Sequence, residues 1–333
     1  MSQTKPAYIY INYPNTAVIK NYLEVIGESL EQCGYKCDYI KQIDGSINKK
    51  DLIVFPIAHD AFRYYFKGYK NIGLWQQGAT ADESYMRHKS KLRYNMLNFF
   101  DCFVMKKAKF ILFVSEYMRK HYENLAKRSF AEKAYIMPCY NEQYDEKIFE
   151  KKDYTKRVFT YVGSLSVWQC FEQTIELYLQ IEKHLADASL KVLTFQVDEA
   201  KKILEEKGVK NYEVKSVAPD KVNEEILETT YGFVVREDNV VNRVATPTKF
   251  SSYLAAGVLP IYSSCLRDFH VHAVEKSFAF ALNPGDDFEK LVQYLNRDID
   301  KDTIRREIEE LFDTYYSTEG HIKNIVGLLN KCL

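Results

Sequence analysis

Two cationic side chains and a predicted helix start fall close together in the second half of the chain. A predicted strand ends at Arg236, and an irregular loop through Asn242 follows it. A helix is then predicted with Thr246 as N-cap and Pro247 in the first turn, the positions that these residues prefer. Free N–H groups at a helix start attract anions, and Lys249 and Arg236 would add full charges. The pattern indicates an anion site, and an ordinary capped helix with surface cations is the alternative.

Two side chains in the first half have the chemistry of a proton acceptor. Glu83 lies in the run WQQGATADE after a predicted strand, and His59 lies in the turn FPIAHD after another. A hydroxyl group that attacks an electrophile needs such a base nearby. Glu83 is the first candidate and His59 the second, while a solvated loop residue is the alternative for each.

The metal-binding patterns in the sequence are weak. Asp298 and Asp300 form an Asp-x-Asp run, but they lie in a connection far from any predicted strand end. His270 and His272 alternate on a short, predicted extended stretch without an evident third ligand. The seven cysteines are scattered and odd in number, which is typical of reduced thiols in a cytoplasmic protein. We therefore expect no metal and no disulfide.

Strands and helices alternate along both halves of the chain, which predicts an α/β fold with parallel sheets. In the first half the predicted elements are a strand Ala7–Asn12, a helix Thr16–Gln32 closed by Gly34, strands Tyr35–Ile40, Asp51–Pro56, Asn71–Gln76 and Lys109–Val114, a long basic helix Asp82–Asp101, and a helix Glu116–Ala126 capped by Ser115. In the second half they are strands Arg157–Val162, Leu190–Phe195, Tyr212–Ser216, Tyr231–Arg236 and Leu259–Tyr262, and helices Phe171–His184, Asp198–Lys207, Pro219–Thr229, Pro247–Ala256, Phe288–Leu295, Lys301–Tyr315 and His321–Asn330.

A polar, charged stretch at 138–156 interrupts this alternation, and the length of 333 residues favours two domains. We expect one Rossmann-like domain at 1–150, joined by a returning helix at about 316–333, and a second at 151–315. Two such halves would face each other across a cleft. Ligands then bind at the carboxyl ends of the strands.

Composition and charge exclude several classes of protein. Hydrophobic residues make up 46% and charged residues 28%, the balance of a folded globular chain. Residues 1–150 hold 22 Lys/Arg against 17 Asp/Glu, a net charge of +5, and the remainder holds 24 against 29, a net charge of −5. This balance argues against nucleic-acid binding. Neither a membrane-spanning segment nor a signal peptide is evident, since the apolar run Phe110–Val114 is strand-sized.

Basic clusters in the first half leave two interpretations open. The clusters are Arg87, Lys89, Lys91 and Arg93, followed by Lys106, Lys107 and Lys109. They are explained by a solvated helix face, or by attraction to anionic lipid or a phosphorylated acceptor.

Four segments resemble those of a known enzyme family, in the family's order. The run PTKFSSYLAAGVLPI from Pro247 resembles the P-x-K-x-x-E-Y-x-x-x-G-x-P-V/I donor-site signature of GT-B glycosyltransferases related to family 4, the retaining "group 1" transferases. FTYVGSLSVWQ at Phe159–Gln169 resembles the strand and turn that open the donor domain. WQQGATADE with Arg87, and FILFVSEY at Phe110–Tyr117, resemble acceptor-domain stretches. The resemblance implies the GT-B fold, with an acceptor domain first and a donor domain second.

The resemblance also implies roles for individual residues. Arg236 and Lys249 would neutralise the leaving diphosphate. The other donor-site positions are Gly163, Ser164, Trp168, Val217, Asn242, Pro247, Thr248, Ser251 and Ser252, and those on the acceptor side are Gln77, Gly78, Glu83 and Arg87. Trp168 would stack on the base or pack in the core.

Two departures from the family pattern reduce the charge of the expected donor pocket. Ser252 stands where many members have a ribose-binding Glu, with Val244 eight residues earlier. Ser164 and Trp168 stand where Arg and Lys are common.

The activity implied is transfer of a sugar from a UDP- or GDP-linked donor to a glycan or lipid-linked acceptor. We expect this to serve cell-surface polysaccharide synthesis in a bacterium, with retention, without metal or cofactor, in the cytoplasm. Peripheral contact of the basic N-terminal domain with the inner face of the plasma membrane is a further expectation. The alternatives are an inactive transferase-like binding subunit and a nucleotide-sugar epimerase of the same architecture.

Overall fold

A computed structural model describes residues 5–11, 16–286 and 288–333. The fold is α/β, as predicted, and the chain divides into two compact units. Unit 1 comprises the described residues up to Cys139, residues 244–246 and Ser317–Leu333. Unit 2 comprises the described residues of Tyr140–Arg243 and Pro247–Tyr316. Each unit contains one sheet with six described strands.

Unit 1 carries a parallel sheet in the order β2-β1-β3-β4-β5-β6. Its strands are β1 (Lys5–Tyr10), β2 (Tyr35–Ile40), β3 (Leu52–Phe55), β4 (Ile72–Gln76), β5 (Phe110–Phe113) and β6 (Ala134–Ile136), and its first five helices are α1 (Thr16–Gln32), α2 (Ala58–Phe66), α3 (Thr80–His88), α4 (Lys91–Lys107) and α5 (Glu116–Ala126). The central strands read LIVF, IGLWQ and FILF and are buried along their whole length. Such continuous apolar runs are typical of parallel strands with helices on both faces.

Unit 2 repeats this architecture with the order β12-β11-β10-β7-β8-β9, again with parallel pairs. Its elements are α6 (Glu146–Lys151), β7 (Val158–Val162), α7 (Phe171–His184), β8 (Ser189–Leu193), α8 (Val197–Lys207), β9 (Tyr212–Lys215), α9 (Val222–Ile226), β10 (Tyr231–Val234), α10 (Val240–Val244), α11 (Lys249–Ala255), β11 (Leu259–Ser263), α12 (Arg267–Ala273), β12 (Phe280–Leu282), α13 (Phe288–Leu295) and α14 (Lys301–Thr314). The last helix, α15 (Thr318–Cys332), belongs to unit 1, where it packs against α1 and β6.

Two predicted helix boundaries are confirmed together with their physical cause. Gly34 closes α1 with a φ of 82°, a conformation that glycine adopts without strain. Ser115 caps α5, because its Oγ accepts a hydrogen bond of 2.9 Å from the N–H of Met118. The predicted strand Ala7–Asn12 ends earlier, with β1 at Tyr10, and Asn12 itself lies outside the described residues.

The single long helix predicted at Asp82–Asp101 is wrong. The chain forms α3 and α4, separated by Lys89 in the left-handed conformation with a φ of 52°. Ser90 then starts α4, since its side chain accepts a hydrogen bond from the N–H of Arg93. The hydrophobic periodicity of residues 82–101 does not change at Lys89. The break therefore depends on the local cap at Ser90 and not on the hydrophobic pattern.

The helix predicted from Thr246 and Pro247 begins later, at Lys249, with Thr248 at the N-cap position and no side-chain cap. Thr246 is not the cap. Its Oγ1 instead accepts a 3.0 Å hydrogen bond from the N–H of Cys139, within unit 1. The residues before it, predicted as an irregular loop through Asn242, form the short helix α10.

Two other local predictions are wrong, and three short elements are missing from the predicted set. The helix predicted at Pro219–Thr229 is a 3-10 turn, Pro219–Lys221, followed by the five-residue α9. His270 and His272 lie on α12 and not on an extended stretch. Three short elements, β6, α6 and β12, were not predicted.

The polar stretch predicted as a linker belongs to unit 2, so the units divide at Cys139 and Tyr140 rather than at residue 150. The rings of Tyr140 and Tyr316 lie 5.9 Å apart, and Tyr144 packs against Phe312 at 6.2 Å. Aromatic residues spaced among charges therefore anchor this stretch.

No helix in the described ranges combines the length and the low polarity that crossing a membrane requires.

Candidate functional site

Arg236 is held at the carboxyl end of the unit 2 sheet, two residues after β10. It is only 7% exposed. Its Nη1 donates hydrogen bonds of 2.8 and 2.7 Å to the carbonyl oxygens of Gln169 and Val235, and its Nη2 donates to Oε1 of Gln169. Its backbone N–H donates to Oγ of Ser263 at 2.9 Å. The guanidinium is thus fixed in orientation, and all its partners are neutral.

Lys249, the first residue of α11, reaches the same place. Its Nζ donates a 2.7 Å hydrogen bond to Gln169 Oε1, the atom that Arg236 also uses. The ammonium lies 4.5 Å from the centre of the Tyr161 ring, a cation–π arrangement. We call Arg236 and Lys249 the paired cations.

The paired cations have no counter-charge among the described residues, since no carboxylate there forms an ion pair with either one. Burial lowers the pKa of Lys249 well below its usual value, and the neighbouring Arg236 charge lowers this pKa further. Burial likewise lowers the pKa of Arg236. Two desolvated positive charges that share one neutral oxygen are unfavourable unless an anion joins them. The site therefore has the electrostatics of an anion receptor.

Gly163 brings the backbone directly against this site. It follows β7 with a φ of 141°, and a Cβ added there would lie 2.8 Å from both Cε and Nζ of Lys249. The conformation requires glycine, and any larger residue would also displace the end of the Lys249 side chain. Ser164 continues the turn: its carbonyl accepts a 2.7 Å hydrogen bond from the Tyr161 hydroxyl, and its Oγ lies 2.9 Å from Oγ of Ser166.

Three further residues predicted for the donor site, Trp168, Val217 and Asn242, follow β7, β9 and β10 in turn. Trp168 is half-buried on the 3-10 turn Val167–Gln169, so it is not a core residue, and stacking on a base stays a prediction. Val217 is half-buried after β9. Asn242 is buried on α10, where its Nδ2 donates a 2.9 Å hydrogen bond to the carbonyl of Glu237, which follows Arg236.

The start of α11 is tied to the chain of unit 2 by serine hydroxyls. Ser251 and Ser252 are buried, and the Oγ atoms of both lie within 2.9 Å of Oδ1 of Asn141. Pro247 and Thr248 are half-buried before the helix, and the Thr248 carbonyl also accepts from Ser251. These hydroxyls therefore orient the helix that carries Lys249.

A second site lies at the carboxyl ends of β3 and β4 in unit 1. A cavity of about 370 Å³ is lined by Gln77, Gly78 and Glu83. Burial raises the pKa of Glu83, the Arg87 charge opposes this shift, and the Asp82 charge adds to it. A carboxylate with a raised pKa is suited to accepting a proton. Gly78 leaves room for this carboxylate, because a Cβ there would lie 2.5 Å from Oε1 of Glu83 and would displace the end of that side chain.

A buried polar network supports the Gly78 loop from below. Gln76 donates hydrogen bonds of 2.7 Å to the Gly78 carbonyl and 2.9 Å to the Tyr122 hydroxyl, and Tyr122 donates to Asp101 at 2.9 Å. Burial raises the pKa of Asp101 to about 7. This network could not be predicted from the sequence, because it joins β4, α4 and α5 through residues far apart in the chain.

The other two residues predicted for unit 1 lie outside that cavity lining. His59 is exposed on α2, rather than in a turn, and its ring packs 5.5 Å from Phe100. Arg87 lies in the last turn of α3, one turn after Glu83, and acts on it by charge. His59 as a catalytic base is therefore not supported by its position.

Gln169 and Tyr161 are the site residues that sequence reasoning missed. Both lie in the segment FTYVGSLSVWQ, which resembles the strand and turn that open the donor domain of the family. Gln169 reaches the paired cations because the 3-10 turn folds back over the end of β7. Residue spacing in the sequence does not predict that this turn folds back over the end of β7.

The residues considered as metal ligands have other contacts. Asp300 caps α14, accepting from the N–H groups of Asp302 and Thr303 at 3.1 Å. Nδ1 of His270 lies 3.0 Å from the Tyr262 hydroxyl. The described part of the chain holds no cluster of three or more His, Cys, Asp or Glu that could bind a metal ion.

No protein-family model and no curated protein matches the sequence. Solved structures do match by fold. HepE of Anabaena, in complex with UDP and glucose, gives a TM-score of 0.67 at 12% identity over 98% of this chain and 100% of that one. The lipopolysaccharide outer core galactosyltransferase WaaB gives a TM-score of 0.61 at 14% identity, and the match covers 99% of this chain and 100% of WaaB.

The fold is GT-B.

A TarM variant of S. aureus, in complex with fondaparinux, alpha-GlcNAc-glycerol and UDP, gives a TM-score of 0.66 at 10% identity. The match covers 86% of this chain and 57% of that one, so the chain spans little more than half the TarM length. At these low identities the likeness establishes the GT-B fold and nothing about the reaction. Any inference about the reaction therefore depends on the paired cations.

Proposed function

We propose that this GT-B protein is a glycosyltransferase that moves a sugar from a UDP- or GDP-linked donor to a glycan or lipid-linked acceptor. The observation that carries the proposal is a pair of cations, the buried Arg236 and the half-buried Lys249, that share one neutral oxygen. A nucleoside diphosphate supplies the missing negative charge. HepE and the TarM variant, which have the same fold, were solved with UDP, and WaaB is a lipopolysaccharide galactosyltransferase. These neighbours support a role in cell-surface polysaccharide synthesis.

In the proposed mechanism, the paired cations act on the leaving group. As the bond between the sugar and the diphosphate breaks, negative charge grows on the terminal phosphate oxygens, and fixed cations in a buried site stabilise it. The guanidinium is already oriented by Gln169 and Val235, so it needs no reorganisation. The arriving diphosphate also favours the charged form of Lys249, reversing the effect of burial on its pKa. Because two full charges are supplied by the protein, we propose that the reaction needs no metal.

Glu83 is the proposed base for the acceptor hydroxyl, with Gln77 and Gly78 forming the acceptor side. Its raised pKa makes it a better proton acceptor than an exposed carboxylate. Ser252, held by Asn141, replaces the ribose-binding Glu of the family signature, so we assign α11 to the diphosphate and not to the ribose. Retention of configuration rests on the sequence resemblance alone.

The test is a panel of UDP-, GDP- and CMP-linked sugars, read by thermal shift and by release of nucleotide with water as acceptor. We expect one UDP- or GDP-sugar to raise the melting temperature and to release nucleoside diphosphate slowly, while CMP-sugars, which carry one phosphate, do neither. Arg236→Ala and Lys249→Ala should each abolish the shift. Arg243→Ala is the matched control, because Arg243 pairs with its own carboxylate, Asp238.

Two outcomes contradict the proposal. If no nucleotide sugar stabilises the protein, the donor site is wrong. If one binds through the paired cations but no diphosphate is ever released, the chain is a transferase-like binding subunit.

A further inference from the structure

The outer face of α4 is apolar where a solvent-facing helix surface is normally polar. Leu92, Met96, Phe99 and Phe103 follow each other at spacings of four, three and four, which places them on one stripe of the helix. Leu92 is 82% exposed, Met96 46% and Phe99 60%. The core-facing residues of α4 are different ones, including Val104 and Asp101.

Aromatic rings of α2 extend this stripe into a continuous surface. The ring of Phe103 lies 5.2 Å from that of Phe62 and 5.4 Å from that of Phe66, which is 64% exposed. We call Phe62, Phe66, Leu92, Met96, Phe99 and Phe103 the aromatic patch. A contiguous exposed surface of this kind marks an interaction site more often than scattered apolar residues do.

The surroundings of the aromatic patch are strongly basic. Residues 59–110 contain ten Lys/Arg and four Asp/Glu, a net charge of +6, and one of these acids, Asp101, is buried. The helix α4 begins at Lys91 and ends at Lys106 and Lys107, all exposed. The partner of the patch must therefore tolerate or favour positive charge.

A basic cavity adjoins the aromatic patch at the amino ends of β1, β3, β4 and β5. This lysine cavity, of about 690 Å³, is lined by Lys5, Lys49, Lys50, Lys70 and Lys109. Lys70 joins the two features, since its Nζ lies 3.5 Å from the centre of the Tyr65 ring and 5.7 Å from that of Phe66. Five lysines and exposed aromatic rings thus share one side of unit 1.

We propose that the aromatic patch and the lysine cavity form a docking surface for a membrane that contains anionic lipid. Phe, Leu and Met side chains insert at the level of the headgroups, and lysines beside them attract anionic headgroups. A second copy of the chain fits less well, because two patches with like charge repel each other. The proposal goes beyond sugar transfer, since binding a donor requires no membrane.

The test is co-sedimentation of the full chain with vesicles of phosphatidylcholine alone and with 30% phosphatidylglycerol (about one anionic lipid in three). We expect binding to the anionic vesicles only, weakened at least about tenfold at high salt because the attraction is electrostatic. The variant Leu92→Ser with Phe99→Ser should lose about tenfold or more in binding. The variant Lys49→Gln, Lys50→Gln, Lys70→Gln should lose a similar factor. Both change exposed side chains, so the fold is retained.

Matched controls are Val271→Ser, at an apolar residue that is 62% exposed in unit 2, and Lys201→Gln with Lys202→Gln on α8. These controls should bind vesicles as the wild type does. The proposal is overturned if the wild type ignores anionic vesicles, or if the patch and cavity variants bind unchanged. It is also overturned if the wild type is a dimer that Leu92→Ser with Phe99→Ser converts to monomer, because the patch would then be a contact between copies. Nucleotide binding, measured in parallel, keeps this test separate from the proposed activity.

Discussion

At the scale of single residues, the central feature is an imbalance of charge around Gln169. Its Oε1 accepts hydrogen bonds from both Arg236 and Lys249. An amide oxygen carries only a partial charge, so it orients the cations without neutralising them. Under the proposed function this arrangement lowers stability until a diphosphate binds and neutralises the two cations.

This imbalance predicts the effect of Gln169→Glu, which changes the shape of the side chain very little. A carboxylate at this position would pair with both cations, and charge-assisted hydrogen bonds are stronger than neutral ones. We expect the free energy of unfolding without ligand to rise by about 1 kcal/mol or more, and affinity for UDP or GDP to fall at least about tenfold, since the added carboxylate competes with the phosphates. Chemical denaturation and calorimetry measure the two effects.

Gln180→Glu is the matched control, because Gln180 is exposed on α7 and the charge change is the same. It should alter neither quantity appreciably. A Gln169→Glu protein that is less stable and binds the nucleotide normally would show that the paired cations are not an anion receptor.

Gly163 was assigned through the family resemblance, whereas Arg236 and Lys249 could be predicted from the sequence itself, because they lie near the end of a predicted strand and the start of a predicted helix. Chain order alone locates the end of a strand or the first turn of a helix. Gln169, Tyr161 and Asn141 could not be predicted, because their roles depend on contacts between distant segments.

At the scale of elements, local caps determine where a helix ends when hydrophobic periodicity alone does not define the boundary. The predicted helix Asp82–Asp101 had a continuous helical composition, yet Lys89 and Ser90 break it. The break has a consequence for the site, since it ends α3 just after the turn that carries Glu83 and Arg87. It also frees α4 to present its own apolar stripe.

The break predicts that Lys89→Gly stabilises the protein. Lys89 has a φ of 52°, which is unfavourable for a residue with a Cβ and neutral for glycine. We expect the free energy of unfolding to rise by roughly 0.5–1 kcal/mol. In a continuous helix the same change would lower it by about 1 kcal/mol, so the sign of the effect distinguishes the two structures. Denaturant unfolding at equilibrium provides the measurement.

Lys120→Gly serves as the control, because it makes the same change inside the helix α5. That variant should be destabilised. Destabilisation by both variants would contradict the two-helix structure.

At the scale of the whole molecule, the chain keeps the GT-B fold at 10–14% identity to structures that match it at TM-scores of 0.61–0.67. This chain builds the fold from buried strands such as LIVF and FILF, separated by helices and turns. That pattern was sufficient to predict two parallel-sheet arrays. The order of strands in each sheet was not predictable, because it is set by pairing between segments far apart in the chain.

The division into units could not be predicted for the same reason, because it depends on contacts between segments far apart in the chain. The aromatic residues Tyr140 and Tyr144 attach the polar stretch to unit 2 through Tyr316 and Phe312, about 170 residues away. The composition of this stretch reveals its charges, but it does not reveal that its tyrosine rings pack against Tyr316 and Phe312.

Binding of a nucleoside diphosphate by Arg236 and Lys249 can be tested by comparing the affinities of diphosphates with those of monophosphates. Calorimetric titration of the full chain with UDP, UMP, GDP and GMP tests it without any acceptor. We predict one binding site for UDP or GDP, with affinity at least about tenfold higher than for the matching monophosphate, because the second phosphate meets a full charge in a buried site. Equal affinity for diphosphate and monophosphate, or no binding of either diphosphate, would contradict the account.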